Sequence, residues 1–131
     1  MDGSAVASGL TALRAGIEKL DATVTAALKA TARASADRIA AHAAQLLRSQ
    51  THGTGRTADA IRVLDETDRK QYVVNSPGHP DRPANLPMWL EFGTRYMTAK
   101  PHMRPAGDAE TERYKTNMVK AAEDAALKAL T

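Results

Sequence analysis

The sequence has no cysteine in its 131 residues. That excludes a disulfide framework, a thiolate zinc site and a thiol nucleophile, and it gives no sign of an oxidising compartment. Aromatic residues are scarce too, at one Trp, one Phe and three Tyr. No apolar run approaches the roughly 18 residues that a membrane-spanning helix needs. The first ten residues carry Asp2 and no basic residue ahead of a hydrophobic stretch, so they lack the layout of a secretory signal. Neither sign of charge dominates: 18 Lys and Arg against 15 Asp and Glu leave +3, with a pI near 9.4. A mildly basic chain permits nucleic-acid contact without demanding it. These absences predict a chain made and kept inside a cell, or packaged into something assembled there. The length fits one domain, residues 1–131, and leaves little room for a two-domain enzyme.

Alanine is plentiful, at 26 residues. Such a chain makes helices more readily than it fills a wide core. Leu10, Leu13, Ile17, Leu20, Val24 and Leu28 recur at spacings of 3 or 4, the stripe of an amphipathic helix within a helical arm over 1–50. A straight helix of about 40 residues would run about 60 Å at 1.5 Å per residue. It must therefore break, with Ser35 placed to cap a second segment, or project and be buried by another subunit. Residues 51–105 hold the strands and a proline-rich loop. Ala60 to Leu64 and Gln71 to Asn75 read as an antiparallel hairpin. Ser76 to Pro87 holds four of the six prolines and reads as an exposed loop. Pro87 to Phe92 suits a short helix ending at Gly93, and Thr94 to Thr98 offers a third strand. A final helix is predicted from Pro105 or Ala106, with Asp108, Glu110 and Glu112 near the positive end of its dipole and a stripe of Tyr114, Met118, Ala122 and Ala125. The fold class is α+β: a long N-terminal helix, a small antiparallel sheet, a short central helix and a C-terminal helix.

Residues that could carry chemistry are few. The Gly53 to Thr57 run lacks the Gly-Lys-Ser/Thr ending and preceding strand of a phosphate loop, and reads as a turn. His79 and Asp81 are two possible metal ligands where zinc wants three or four, so no metal and no cofactor is expected. Glu91, beside Trp89 and Phe92, is the one carboxylate in apolar sequence, where burial could raise its pKa. It has no Ser, His or second carboxylate partner at a recognisable spacing. The plainer reading has it accept from backbone amides or pair with Arg95 or Arg104, and no catalytic residue is assigned. Arg82, Arg95, Lys100, His102 and Arg104 form the best basic patch, with Trp89 and Tyr96 among them. Such a patch could stack bases and bind phosphates, or face carboxylates of a neighbouring subunit.

Two short motifs go further. Trp89-Leu90-Glu91-Phe92-Gly93-Thr94 is followed by Pro101-His102-Met103-Arg104-Pro105-Ala106 ahead of the last helix. In these motifs the sequence resembles the neck, head-tail connector or tail-completion proteins of long-tailed bacteriophages. Glu91, Phe92, Gly93, Thr94, Pro101, Arg104, Pro105 and Ala106 match that family residue by residue. Met103 takes its hydrophobic place, and His102 stands where the family has Phe. A weaker match is Thr54-Gly55-Arg56, a turn before the first strand. Gly93 permits a sharp turn, and Pro101 and Pro105 fix φ on either side of Arg104, so this stretch reads as a shape-setting corner.

The resemblance implies a structural virion protein in the ring-shaped neck between the capsid portal complex and the tail. Copies would form a closed ring, six or twelve by resemblance, touching neighbouring neck and tail proteins and leaving a channel that DNA crosses without specific recognition. It would lie in the host cytoplasm during assembly, with no membrane involved. Trp89, Leu90 and Phe92 would pack the hairpin against the last helix, and Glu91 and Arg104 would fix the corner electrostatically. Three alternatives stand beside this one. They are a tail terminator or head-closure protein of the same neck, a small non-specific DNA-binding protein using Arg82, Arg95, Lys100 and Arg104, and an enzyme with Glu91 as general base.

Overall fold

The computed structural model describes residues 3–52 and 55–131, so Thr54 of the weaker motif lies outside the described residues. The element order is α1 (Gly3–Gln50), α2 (Arg56–Asp59), β1 (Arg62–Glu66), β2 (Gln71–Asn75), α3 (Leu86–Phe92) and α4 (Met103–Leu130). The described residues are mostly helical (71%), with one two-stranded antiparallel sheet among them. The described residues fall into two compact units, one formed by residues 3–32 and 115–131 and the other by residues 33–114.

α1 is continuous through Ser35. No proline interrupts it, and Thr11, Thr23 and Thr31 turn their hydroxyls back onto the carbonyls four residues earlier, at 2.8–2.9 Å. Ser35 does not cap a second segment; it is buried and bonds elsewhere. At the C-terminal end, the Thr51 hydroxyl donates to the Leu47 carbonyl at 2.7 Å and satisfies one of the last orphan acceptors.

In the unit of residues 33–114, Ala44 and Leu47 of α1 meet Ala58 of α2 and Leu90 of α3, with Ile61, Leu86 and Met97 packed against them. The core is thin because its contributors are mostly small. The first strand starts two residues later than Ala60, at Arg62. Gly55, in the left-handed region at φ 79°, opens the single turn of α2, which takes up the chain as far as Ala60. β2 spans Gln71–Asn75 as expected from its Tyr and Val content, and Val63 faces Val74 across the pair. The hairpin is closed by a 3₁₀ turn, Thr67–Arg69, and by Lys70 at φ 52°. The guanidinium of Arg33 lies 5.6 Å from the Tyr72 ring centre, a cation–π contact that ties the hairpin to α1.

Thr94 to Thr98 is not a third strand. A single bridge joins Thr94 and Met97, and the two exchange main-chain hydrogen bonds of 2.8 and 3.3 Å across a tight turn. The last helix begins at Met103, two or three residues before the expected start. Pro105 therefore sits inside its first turn, where its missing N–H removes a donor that has no intrahelical partner. That start leaves no acidic residue in the first turn, and Glu110 serves a different purpose. The Ser35 hydroxyl reaches Glu110 Oε1 at 2.7 Å, and Arg38 Nε and Nη2 reach it at 2.9 and 2.7 Å. The Arg38 hydrogen bonds outweigh burial and, with Ser35, hold the Glu110 carboxyl below the usual range. In the unit of residues 3–32 and 115–131, Ala125 is buried and Met118 and Ala122 are half-buried, while Leu10, Leu13 and Ile17 are exposed.

Candidate functional site: a corner closed on a helix start

The two motifs meet at one place. α3 ends at Gly93, whose φ of 76° and ψ of 175° lie in a region open essentially to glycine alone. The turn then brings the chain back along α3. A Cβ on Gly93 would lie 2.9 Å from the Ala99 nitrogen and 3.0 Å from the Met97 carbonyl. The glycine is required twice, for its dihedral angles and for the space. One residue further along, the Lys100 N–H donates to the Leu90 carbonyl at 2.6 Å. With its amide nitrogen turned inward, Gln50 at the end of α1 donates to the Lys100 and Pro101 carbonyls, at 3.2 Å each.

Glu91 completes the join. Its Oε2 accepts the main-chain N–H groups of His102 and Met103 at 2.8 and 2.9 Å, and its Oε1 accepts that of Arg104 at 2.9 Å. A helix start leaves four N–H groups without intrahelical partners. Here Glu91 takes three of them, and the fourth position is Pro105, which has none. The carboxylate also lies at the positive end of the α4 dipole. Burial on its own would raise the Glu91 carboxyl. The three main-chain donors and the nearby His102 outweigh it and hold the group below the usual carboxylate range.

His102, unlike the Phe of the resembled family, is a polar group with no exposed surface. Its Nε2 lies 3.3 Å from the Ser76 hydroxyl and its Nδ1 lies 3.1 Å from Glu91 Oε2. Burial pushes the ring below the ordinary histidine value, against Glu91 and the Lys100 main chain, which pull it up. Ser76, His102 and Glu91 follow one another as in a serine–histidine–carboxylate relay but without its second hydrogen bond, since the buried Nδ1 makes none. The carboxylate, moreover, is engaged by three backbone donors, and the imidazole is sealed from solvent. Chemically, the arrangement fixes an angle between α3 and α4.

The other expected residues divide. Leu90 is buried, but it packs against α1 and α2, not between the hairpin and α4. Trp89 and Phe92 do not pack there either: they are 36% and 75% exposed. On a helix of about 100° per residue, positions 89 and 92 stand about 100° and 200° around the axis from Leu90, off the face that it buries. Glu91 and Arg104 form no ion pair. Arg104 contributes its main-chain N–H, while its exposed guanidinium lies 4.0 Å from Asp108. Pro101 is half-buried, Ala106 is buried, and Met103 is half-buried beside His102 in sequence. Thr94 anchors the turn, its hydroxyl accepting from the Tyr96 N–H at 3.2 Å. Arg56 pairs with Asp81 at 3.1 Å, and Gly55 starts α2.

Of the basic patch, Arg82, Arg95 and Arg104 are exposed and Lys100 is half-buried; Arg95 lies over the exposed Tyr96 ring at 5.7 Å. His79 Nδ1 accepts the Asp81 N–H at 3.1 Å. Among the described residues, no three His, Asp or Glu side chains are grouped so as to hold a metal ion. The sequence marks neither Ser76 nor the meeting of Ser35 and Arg38 with Glu110. Ser76 sits in the proline-rich loop among other polar residues, and the Ser35, Arg38 and Glu110 cluster joins residues more than 70 positions apart. Ser35 and Arg38, three apart and therefore on one helix face, were the only local hint. No family model, no curated protein and no solved structure matches the chain.

Proposed function

We propose that this chain is a structural subunit of the neck of a long-tailed bacteriophage, assembling with copies of itself into the ring that joins the capsid portal complex to the tail. The observation that carries the reading is the corner. Glu91, Gly93, Pro105 and the main chain at Arg104 come from the two motifs that resemble the connector and tail-completion family, and together they set the direction of α4. These motif residues do mechanical work in the fold, which is what a subunit of an assembled ring needs from its most distinctive sequence. A thin core of mostly small residues and a long α1 with exposed apolar side chains also suit a chain that completes its burial against other subunits. Within the neck, the same features fit a tail terminator or head-closure protein.

Inactivating the gene in its phage tests the proposal. The expected result is an accumulation of DNA-filled heads and free tails that do not join, restored to intact virions by the gene supplied in trans. Normal virions from the mutant would refute it.

A further inference from the structure

We infer that the outward face of α3 and the turn after it bind an acidic, apolar segment of another protein, a short stretch in which Asp or Glu side chains flank apolar ones. Trp89, Phe92 and Tyr96, three of the five aromatic residues, stand here. Successive residues of a helix lie about 100° apart around its axis. Met88, Phe92 and Trp89 therefore fall within one arc of about 100°, opposite Leu86, Pro87 and Leu90, which are turned inward. Met88 is 53% exposed, and Tyr96 in the turn is 90% exposed. The backbone beneath Tyr96 is fixed from several sides. Thr94 and Met97 bridge the turn, the Thr94 hydroxyl accepts the Tyr96 N–H, and the Lys100 N–H is bonded to the Leu90 carbonyl. A surface already held in place loses little freedom on binding.

The charge around this face selects the occupant. From Arg82 to Gly107 the only carboxylate is Glu91, and its oxygens are taken by three main-chain N–H groups. The cations that border the face are placed by its own backbone. Arg95 lies over the Tyr96 ring, Lys100 is set by its main-chain bond to Leu90, and Arg104 by its main-chain bond to Glu91. Asp108, the next carboxylate along the chain, lies 4.0 Å from Arg104. Apolar side chains within a positive border call for the complement, apolar side chains within a negative one. Aromatic residues, Met and Arg, with no exposed Asp or Glu, are also the composition that marks the centre of interfaces between proteins. A second copy meeting the same face would set these cations against one another. Stacked bases need open rings, whereas Arg95 covers one face of Tyr96 and Met88 offers no ring. Size limits the partner to a segment. α3 has seven residues and is about 10 Å long at 1.5 Å per residue. An interface between folded proteins takes about 20–30 residues a side, while a few residues of extended chain, at about 3.3 Å each, span this face.

The test selects Trp-free peptides on the full chain from a ribosome-displayed random library. The selected peptides are then synthesised and titrated while the emission of Trp89, the single tryptophan, is followed. The variants are Phe92→Ala/Tyr96→Ala and Arg95→Glu, with Lys19→Glu in the other unit as control. Because all the substituted side chains are exposed, the variants should keep wild-type helicity and urea midpoint, and both are checked first; Tyr96→Ser alone replaces the double variant if that unfolds. The expected binders carry Asp and Glu beside apolar residues, shift Trp89 to the blue and bind more weakly as salt rises. Both face variants should weaken them by about tenfold or more, and the control should bind as the wild type does. A selection that yields no binder, binders without an excess of acidic residues, or binders that hold either face variant as tightly as the wild type overturns the inference. So does a Trp89 shift that sets in at lower concentration with oligothymidylate, with phosphatidylserine vesicles or on concentrating the chain alone, since each assigns the face to a different occupant. None of these outcomes bears on the neck reading.

Discussion

Replacing Glu91 by Gln tests the corner with the smallest change of shape. Glutamine keeps one carbonyl oxygen, which can accept two of the three N–H groups now held by the carboxylate, and its amide nitrogen is turned toward the third. A hydrogen bond to a charged acceptor contributes about 1.5–3 kcal/mol, and a buried donor left without a partner costs about 1–3 kcal/mol. Loss of the charge at the start of α4 adds about 0.3–1 kcal/mol. The expected destabilisation is about 2–4 kcal/mol, a large share of the 5–15 kcal/mol typical of a whole domain. Urea unfolding at pH 7, followed by the fluorescence of Trp89, reads this directly, since Trp89 is the single tryptophan and lies two residues from Glu91. The midpoint should fall with little change in slope. The sign of the acid dependence supplies a second reading. Because the folded state holds Glu91 below the unfolded value of about 4.3, its contribution is complete above that value and is lost as pH falls through the folded one. The gap between wild type and Glu91→Gln should therefore be full at pH 7 and narrow below about pH 4. A loss under about 0.5 kcal/mol at pH 7, within the range of neutral surface substitutions, would refute the assignment of Glu91 as the cap of α4.

Further outcomes follow from the same geometry. Gly93→Ala forces a Cβ to 2.9 Å from the Ala99 nitrogen at a backbone conformation closed to alanine, and should cost about 2–4 kcal/mol in the same unfolding assay. Leu90→Ala should cost about 2–4 kcal/mol through the cavity it leaves, while Phe92→Ala should change stability by less than about 0.5 kcal/mol, despite the larger side chain lost. His102 is held below its unfolded value of about 6.5, so its contribution is complete above that pH and lost as pH falls through the folded value; His102→Phe should flatten the stability profile there and, because His102 helps hold Glu91 down, should also reduce the carboxylate-dependent loss below about pH 4 without abolishing it, the three main-chain donors remaining. Glu110→Ala should destabilise the fold and lower thermal stability more than Asp108→Ala, because only Glu110 is buried against Ser35 and Arg38.

Local chemistry made much of the fold legible. Apolar spacing without proline marked α1, Tyr and the paired Val marked β2, and Pro87 with Gly93 framed α3. The misplacements have local causes as well. Pro105 suggested a helix start at its own position, whereas a proline is tolerated anywhere in the first turn once those N–H groups are served from elsewhere. Thr94 to Met97 has the residues of a strand, but Gly93 turns the chain back so sharply that one bridge uses up the pairing. Trp89 and Phe92 invite burial by type, yet the face of α3 that meets the core is fixed by Leu90 and Leu86. The acceptor role of Glu91 could be read from its apolar setting. Which amides it would meet could not, because that depends on a turn of eleven residues closing onto α4. His102 was open to reading as an exposed member of a basic patch, and only packing reveals it as the buried centre of the corner.

The central claim, that the chain is a neck subunit, is tested most directly by gold-labelled antibody against this protein on purified tailed virions viewed by electron microscopy. Label confined to the junction between capsid and tail is the predicted result. Label on the capsid shell or the tail tip, or virions that contain none of the protein, would contradict it.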